Sequence, residues 1–113
     1  MKFIGNEPTE IAKQKAKTVG LDKIDFDETY QLVKVGAKNP SPYGYPSHMV
    51  ALPRGQFSIA THQSETDGQM YVWLVGFWIN GDSFKTSPIV SCQKTNFGFS
   101  IETQNSTYEL RYV

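Results

Sequence analysis

Apolar and polar positions alternate most regularly over residues 69 to 113, in the segments QMYVWLVGFWI, FKTSPIVSCQKT and FGFSIETQ followed by TYELRYV. The breaks between them, Asn80-Gly81-Asp82, Lys94-Thr95-Asn96 and Gln104-Asn105-Ser106, are residue types that tolerate tight-turn or left-handed backbone. This pattern predicts an antiparallel β meander. Phe97, Phe99 and Ile101 alternate with Gly98, Ser100 and Glu102, and Tyr108, Leu110 and Tyr112 with Glu109 and Arg111, so each of these strands has one solvent face.

The run from Met70 to Ile79 is different. Tyr71, Trp73, Val75, Phe77 and Ile79 fall on one side of a strand and Met70, Val72, Leu74 and Trp78 on the other. Both rows are apolar. Burying one such residue contributes roughly 1.5 to 3 kcal/mol, so an uncovered row forfeits an amount comparable with the stability of a small domain. Three arrangements cover both rows: a sheet closed into a barrel or sandwich, the helix on one face with the rest of the sheet on the other, or a second subunit. The expected core contains Tyr71, Trp73, Val75 and Phe77 of this strand, with Phe99, Ile101 and Leu110.

Upstream, residues 8 to 19 predict the helix. Pro8 suits a first turn, Glu7 and Glu10 sit at its positive end, Lys13, Lys15 and Lys17 lie toward its negative end, and Gly20 stops it. Ala12, Ala16 and Val19, with Ile11 beside them, make a narrow apolar stripe, and Leu21 can fold back on Ala16. From Leu21 to Val35, Ile24 and Phe26 alternate with Asp25 and Asp27, predicting one or two strands with the aspartates on the solvent face. Gly36 to His48 holds Pro40, Pro42 and Pro46 and must be a loop. Met49 to Leu52 and Gln56 to His62 read as two short strands split by Pro53-Arg54-Gly55, and Gln63 to Gly68 as a polar turn. The expected fold is α+β in a single domain spanning 1 to 113: an N-terminal helix followed by a mostly antiparallel meander of about six or seven short strands, curled into a partly closed barrel or sandwich.

Composition narrows the functions. The chain of 113 residues is long enough to bury a core without disulfides or metals. Eleven basic and eleven acidic side chains give no net field to gather phosphates or an anionic membrane. The single cysteine cannot form an internal disulfide, and the N-terminal MKFIGNEPTEIAKQK lacks the apolar stretch of a signal peptide. A cytoplasmic location is expected. The run from Met70 to Ile79 is about half of what a membrane-spanning helix needs.

Signatures of chemistry are sparse. GxSxG, HExxH, a P-loop and GxGxxG are absent. His48 follows the Pro-rich loop and His62 ends a strand, and no nucleophile motif accompanies either. Two histidines and one cysteine without close spacing do not make a zinc site. Asp22, Asp25, Asp27 and Glu28 read as a solvated face, and Asp67-Gly68 as a turn rather than a calcium loop. Nothing around Cys92 suggests a lowered thiol pKa. No catalytic residue, metal or cofactor is expected.

The binding candidates are Tyr43 and Tyr45, aromatics held between prolines on an irregular segment, with His48 beside them and Arg54 as a cationic rim with Lys34 and Lys38. The size, neutral charge and lack of catalytic residues resemble those of small accessory proteins of bacteria and their viruses, an analogy of class alone. The leading expectation is a non-enzymatic protein-binding or inhibitory accessory module that contacts a protein partner through the Tyr43/Tyr45 loop or the aromatic strand. A homodimer through Met70 to Ile79 is a further partner expectation. A single-stranded nucleic-acid-binding barrel of the OB type is the alternative, disfavoured because the lysines are not interleaved with Trp73 or Trp78. A small-ligand-binding barrel is the third.

Overall fold

The computed structural model describes residues 1–5, 7–37, 50–77 and 83–113, with backbone alone at 37 and 50–53. In chain order these residues form helix α1 (Glu10–Thr18), a single 3-10 turn (Leu21–Lys23), and strands β1 (Tyr30–Ala37), β2 (Val50–Gln63), β3 (Met70–Phe77), β4 (Ser83–Lys85), β5 (Ile89–Thr95), β6 (Gly98–Thr103) and β7 (Ser106–Tyr112). The fold is α+β, and the strands make one antiparallel sheet in the order β4-β3-β2-β1-β7-β6-β5. The sheet is not closed into a barrel.

The helix starts where its cap dictates. Thr9 is the N-cap, so Pro8 precedes the helix rather than standing in its first turn, and the Thr9 hydroxyl accepts from the Ala12 N–H at 3.2 Å. Glu10 stands in the first turn and Lys15 and Lys17 in the last. Gly20 takes a left-handed φ of 94° and its N–H donates to Lys17 O at 3.0 Å. A Cβ at Gly20 would collide with the Cys92 carbonyl, because the Cys92 N–H donates to Val19 O at 2.6 Å and ties the helix end to β5. Ala12, Ala16 and Val19 are buried, as the stripe requires, while Ile11 is exposed.

β2 is one strand of 14 residues, not two short ones. Its first half pairs with β1 and its second half with β3. Leu52 and Pro53 together oppose Leu32, because Gln31 pairs with Arg54 while Val33 pairs with Ala51. Pro53 therefore falls in a bulge, where a residue without an N–H interrupts no ladder. Beyond the bulge β1 departs and residues 2–4 take its place, with Ile59 N–H donating to Lys2 O at 2.7 Å and Ile4 N–H to Ile59 O at 2.9 Å.

Two further expectations are corrected. Ile24 and Phe26 are buried but belong to no strand. Their alternation with the aspartates comes from a turn, in which Asp25 Oδ1 accepts from the Asp27 N–H at 3.0 Å. The meander also breaks at residues 86–88, so β4 and β5 are opposite edges of the sheet rather than neighbours. That link laces the two halves together. Thr86 N–H donates to Leu74 O at 3.0 Å, the Ser87 hydroxyl to Thr103 Oγ1 at 2.7 Å, and Gln104 N–H to Pro88 O at 3.0 Å.

The core lies inside this folded sheet. Leu32, Ile59, Val72, Leu74, Ile101 and Leu110 are fully buried. Phe99, Ile101 and Leu110 are core as expected, but Tyr71, Trp73, Val75 and Phe77 are not. Val72, Leu74 and Gly76 make the inner row of β3, and the Phe57 ring fills the space where a Gly76 side chain would stand, only 2.8 Å from an added Cβ. The helix lies against β3 through its alanines, which permit close approach on the inner side only.

Candidate functional site

Of the sequence-derived binding candidates, Tyr43, Tyr45 and His48 lie outside the described residues, as do Trp78 and Ile79. Arg54 is exposed on β2, and its Nε donates to Gln31 Oε1 at 3.2 Å. His62 is exposed and opposes Tyr71. Cys92 is buried, and desolvation pushes its thiol up to about 11, the opposite of an activated nucleophile. Among the described residues no group of His, Cys, Asp and Glu is placed to hold a metal ion.

The structure singles out a different surface, the outer face of β2 and β3. Tyr71, Trp73 and Val75 are half-buried and Phe77 is 53 % exposed. Cross-strand pairing sets His62, Ala60, Ser58 and Gln56 opposite them in that order, which leaves their flank on β2 low and mostly small. On the other flank Lys85 opposes Val75, while Phe84, next to it, turns inward against the core. The N-terminal segment extends the same face. Phe3 packs inward, so alternation directs Lys2 and Ile4 outward, and Ile4 is 43 % exposed beside Ala60.

One end of the aromatic row is held in place. The β2–β3 turn closes with Gly68 N–H donating to Ser64 O at 2.9 Å, and Asp67 accepts from the Gln69 N–H at 2.9 Å and from the Tyr71 hydroxyl at 2.8 Å. The Gln69 N–H, with Tyr71 second, holds the Asp67 carboxyl below its ordinary value, and the same carboxylate raises the Tyr71 hydroxyl. Tyr71 is thus oriented without being buried. Glu65 and Asp67 make this end anionic, and Arg54 stands past Gln56 at the Phe77 end.

A second concavity of about 570 Å³ opens at the foot of β1 and β7. Its floor is the ring cluster of Tyr30, Phe99 and Tyr112, with centroids 6.0 to 6.3 Å apart. Asp25, Asp27 and Glu28 rim it together with Lys23 and Lys94. Tyr30 and Phe99 are buried and Tyr112 is half-exposed; the rings close the end of the core, and the mixed charges above them favour no single ligand charge.

The outer face was half legible in the sequence. Two apolar rows on one strand were visible, but which row turns inward was not. Gly76 in the even row was the available signal, since an isolated glycine in a strand marks close approach of another group. Compared with models of protein families, with curated proteins and with solved structures, the chain matches none.

Proposed function

We propose that this protein is a non-enzymatic protein-binding module whose contact surface is the outer face of β2 and β3. The observation that supports this reading is the position of Tyr71, Trp73, Val75 and Phe77: large, contiguous, and partly or largely exposed on a rigid strand whose opposite row is fully packed. Scattered single apolar residues on a surface need no reason, but a contiguous row does. Aromatic side chains fixed on a strand lose little conformational freedom on contact, and tyrosine and tryptophan dominate binding hot spots. On the β2 flank of this row Ala60 is half-buried and Ser58 is buried, so the contact surface is the row itself and above all its exposed end at Phe77.

A photoreactive phenylalanine at position 77, with a control at the exposed Gln93 of β5, tests the reading in extract of the native host. Capture of a protein at position 77 and not at 93 supports it. Absence of any specific capture overturns it, and salt-sensitive binding of a labelled single-stranded oligonucleotide in the same range transfers the face to nucleic-acid binding.

A further inference from the structure

Resting on the reading of this face as a protein-binding surface, we propose that its partner is acidic: an extended segment in which an apolar side chain stands between two carboxylates, docked across the end of the face that carries Val75 and Phe77. Strand pairing places the cations that select it. Val75 opposes Ser58 on one side and Lys85 on the other, and the parallel bridge of Phe3 with Ile59 sets Lys2 beside Ser58. Lys2, Ser58, Val75 and Lys85 therefore form one line across the strands, with an exposed lysine at each end. Phe77 lies two residues along β3 from this line and is 53 % exposed, and the exposed Arg54 stands past Gln56, which opposes Phe77. None of the three cations is paired with a carboxylate of the described residues. Arg54 Nε bonds the neutral Gln31 amide, and the ion pairs of Glu10 and Glu109 engage Lys13 and Arg111 instead. Of the acids near this end, Asp27 and Glu28 line the cleft at the foot of β1, and Asp82 lies outside the described residues. Glu65 and Asp67 sit at the opposite end, in the turn beyond Tyr71.

An apolar patch bracketed by unpaired cations is matched by a partner that brings the missing carboxylates, and it rejects a basic one. The register sets the pattern. Three strand spacings separate Lys2 from Lys85, about 14 Å. An extended segment laid across the strands rises roughly 3.3 Å per residue, so its side chains at i and i+4 fall about 13 Å apart on one face, with i+2 midway. Carboxylates at i and i+4 then meet the two lysines, and an apolar side chain at i+2 meets Val75 and Phe77. Ser58 is buried within the line, so the contact is shallow, and a segment of this length covers less than a standard stable interface. Binding is therefore weak and falls with added salt. A single-stranded nucleic acid, also anionic, is disfavoured on two grounds. Tyr71 and Trp73 are half-buried and offer bases little ring face, and Glu65 and Asp67 repel a phosphate backbone that follows the row.

An amide-resolved NMR titration of the full chain tests this with two synthetic peptides, Ser-Glu-Ser-Leu-Ser-Glu-Ser and the same sequence with lysine in place of each glutamate. The dispersion of each spectrum verifies that the variant is folded. The glutamate peptide is expected to shift the amides of Val75, Gly76, Phe77 and Lys85, less so in added salt, and the lysine peptide to leave them in place. Lys85→Glu weakens the binding severalfold, whereas Lys94→Glu, the same charge change at an exposed position of β5, leaves it unaltered. No shifts from the glutamate peptide, equal shifts from the lysine peptide, or equal effects of the two variants overturns the acidic partner. A thymidine oligonucleotide that moves the same amides at lower concentration than the glutamate peptide also overturns it, in favour of a nucleic acid. If the acidic partner falls while position 77 still captures a host protein, the protein-binding reading stands with a partner of other chemistry; if position 77 captures none, both fall.

Discussion

The hydroxyl of Tyr71 donates to Asp67 Oδ2 at 2.8 Å across the turn that joins β2 to β3. A side chain on the outer face, with no core around it, is held by the backbone geometry of a neighbouring turn. The Gln69 N–H fixes the carboxylate and the carboxylate fixes the ring. The aromatic row begins from a defined position for that reason, and the anionic end of the face is kept ionised by the same bonds.

Titration of Asp67 should report this arrangement directly. Its carboxyl lies below the ordinary 3.8 because the Gln69 N–H and then the Tyr71 hydroxyl favour the charged form. A depressed acid contributes stability above its unfolded pKa that is lost as pH falls through the folded one, so the turn loosens only below about pH 4. Tyr71, raised above 10.0, acts oppositely, its contribution being present below its unfolded pKa and lost as pH rises through the raised value. In carbon-detected NMR, Tyr71→Phe should move the Asp67 pKa part of the way back toward 3.8 and leave it still depressed by the Gln69 N–H. An unmoved pKa means that the hydroxyl bond is not populated in solution.

The two rows of β3 should differ sharply in what they contribute to stability. Leu74 is fully buried, and Leu74→Ala should cost about 2 to 5 kcal/mol through lost burial and the cavity left behind. Trp73 is only half-buried on the outer face, and Trp73→Ala should cost about 1 kcal/mol or less. Urea unfolding of both variants checks the order. A Trp73→Ala cost equal to that of Leu74→Ala would place the indole in a packed environment and remove the outer face as a contact surface.

How far the sequence could be read follows from the same strand. Alternation identified β3, β5, β6 and β7 and the burial of Phe99, Ile101 and Leu110, because in one-sided strands hydrophobicity itself says which way is in. It could not choose between two apolar rows. That choice depends on the Phe57 ring lying over Gly76 and on alanines bringing the helix close, both relations between distant parts of the chain. Pro53 misled for a related reason, since a bulge absorbs a proline that a regular ladder would reject. The strand order was hidden because Ser87-Pro88 lies inside FKTSPIVSCQKT, a segment that reads as one continuous strand, although it carries the chain from one edge of the sheet to the other.

Glycines 20 and 68 separate backbone strain from close approach. Both have left-handed φ, 94° and 71°, but an added Cβ at Gly68 meets nothing within 4 Å while one at Gly20 runs into the Cys92 carbonyl. Gly68→Ala should therefore cost about 1 to 2 kcal/mol from the backbone alone. Gly20→Ala should cost distinctly more, because it must also break or displace the 2.6 Å bond from Cys92 N–H to Val19 O. Thermal melts under identical conditions measure the difference. Equal losses would show that the helix end shifts freely on β5.

The thiol of Cys92 should report opening of this same seam. It is buried, and loss of solvation pushes its pKa up to about 11, so at neutral pH the native protein holds almost no thiolate, the form that attacks a disulfide reagent. Between the unfolded pKa near 8.5 and the raised native value, the unfolded chain releases a proton that the native chain keeps. The thiol's contribution to stability is thus complete below about pH 8 and declines as pH rises through 11. Labelling with an aromatic disulfide at pH 8 should be slow in the native state and immediate in denaturant, and Gly20→Ala, which loosens the helix end from β5, should accelerate it at least severalfold without exposing the rest of the core. Prompt labelling of the wild-type protein would mean that the seam between Val19 and Cys92 opens by local fluctuation. In that case the anchoring of α1, and with it the inward assignment of Val72 and Leu74, would have to rest on the Phe57 packing over Gly76 alone.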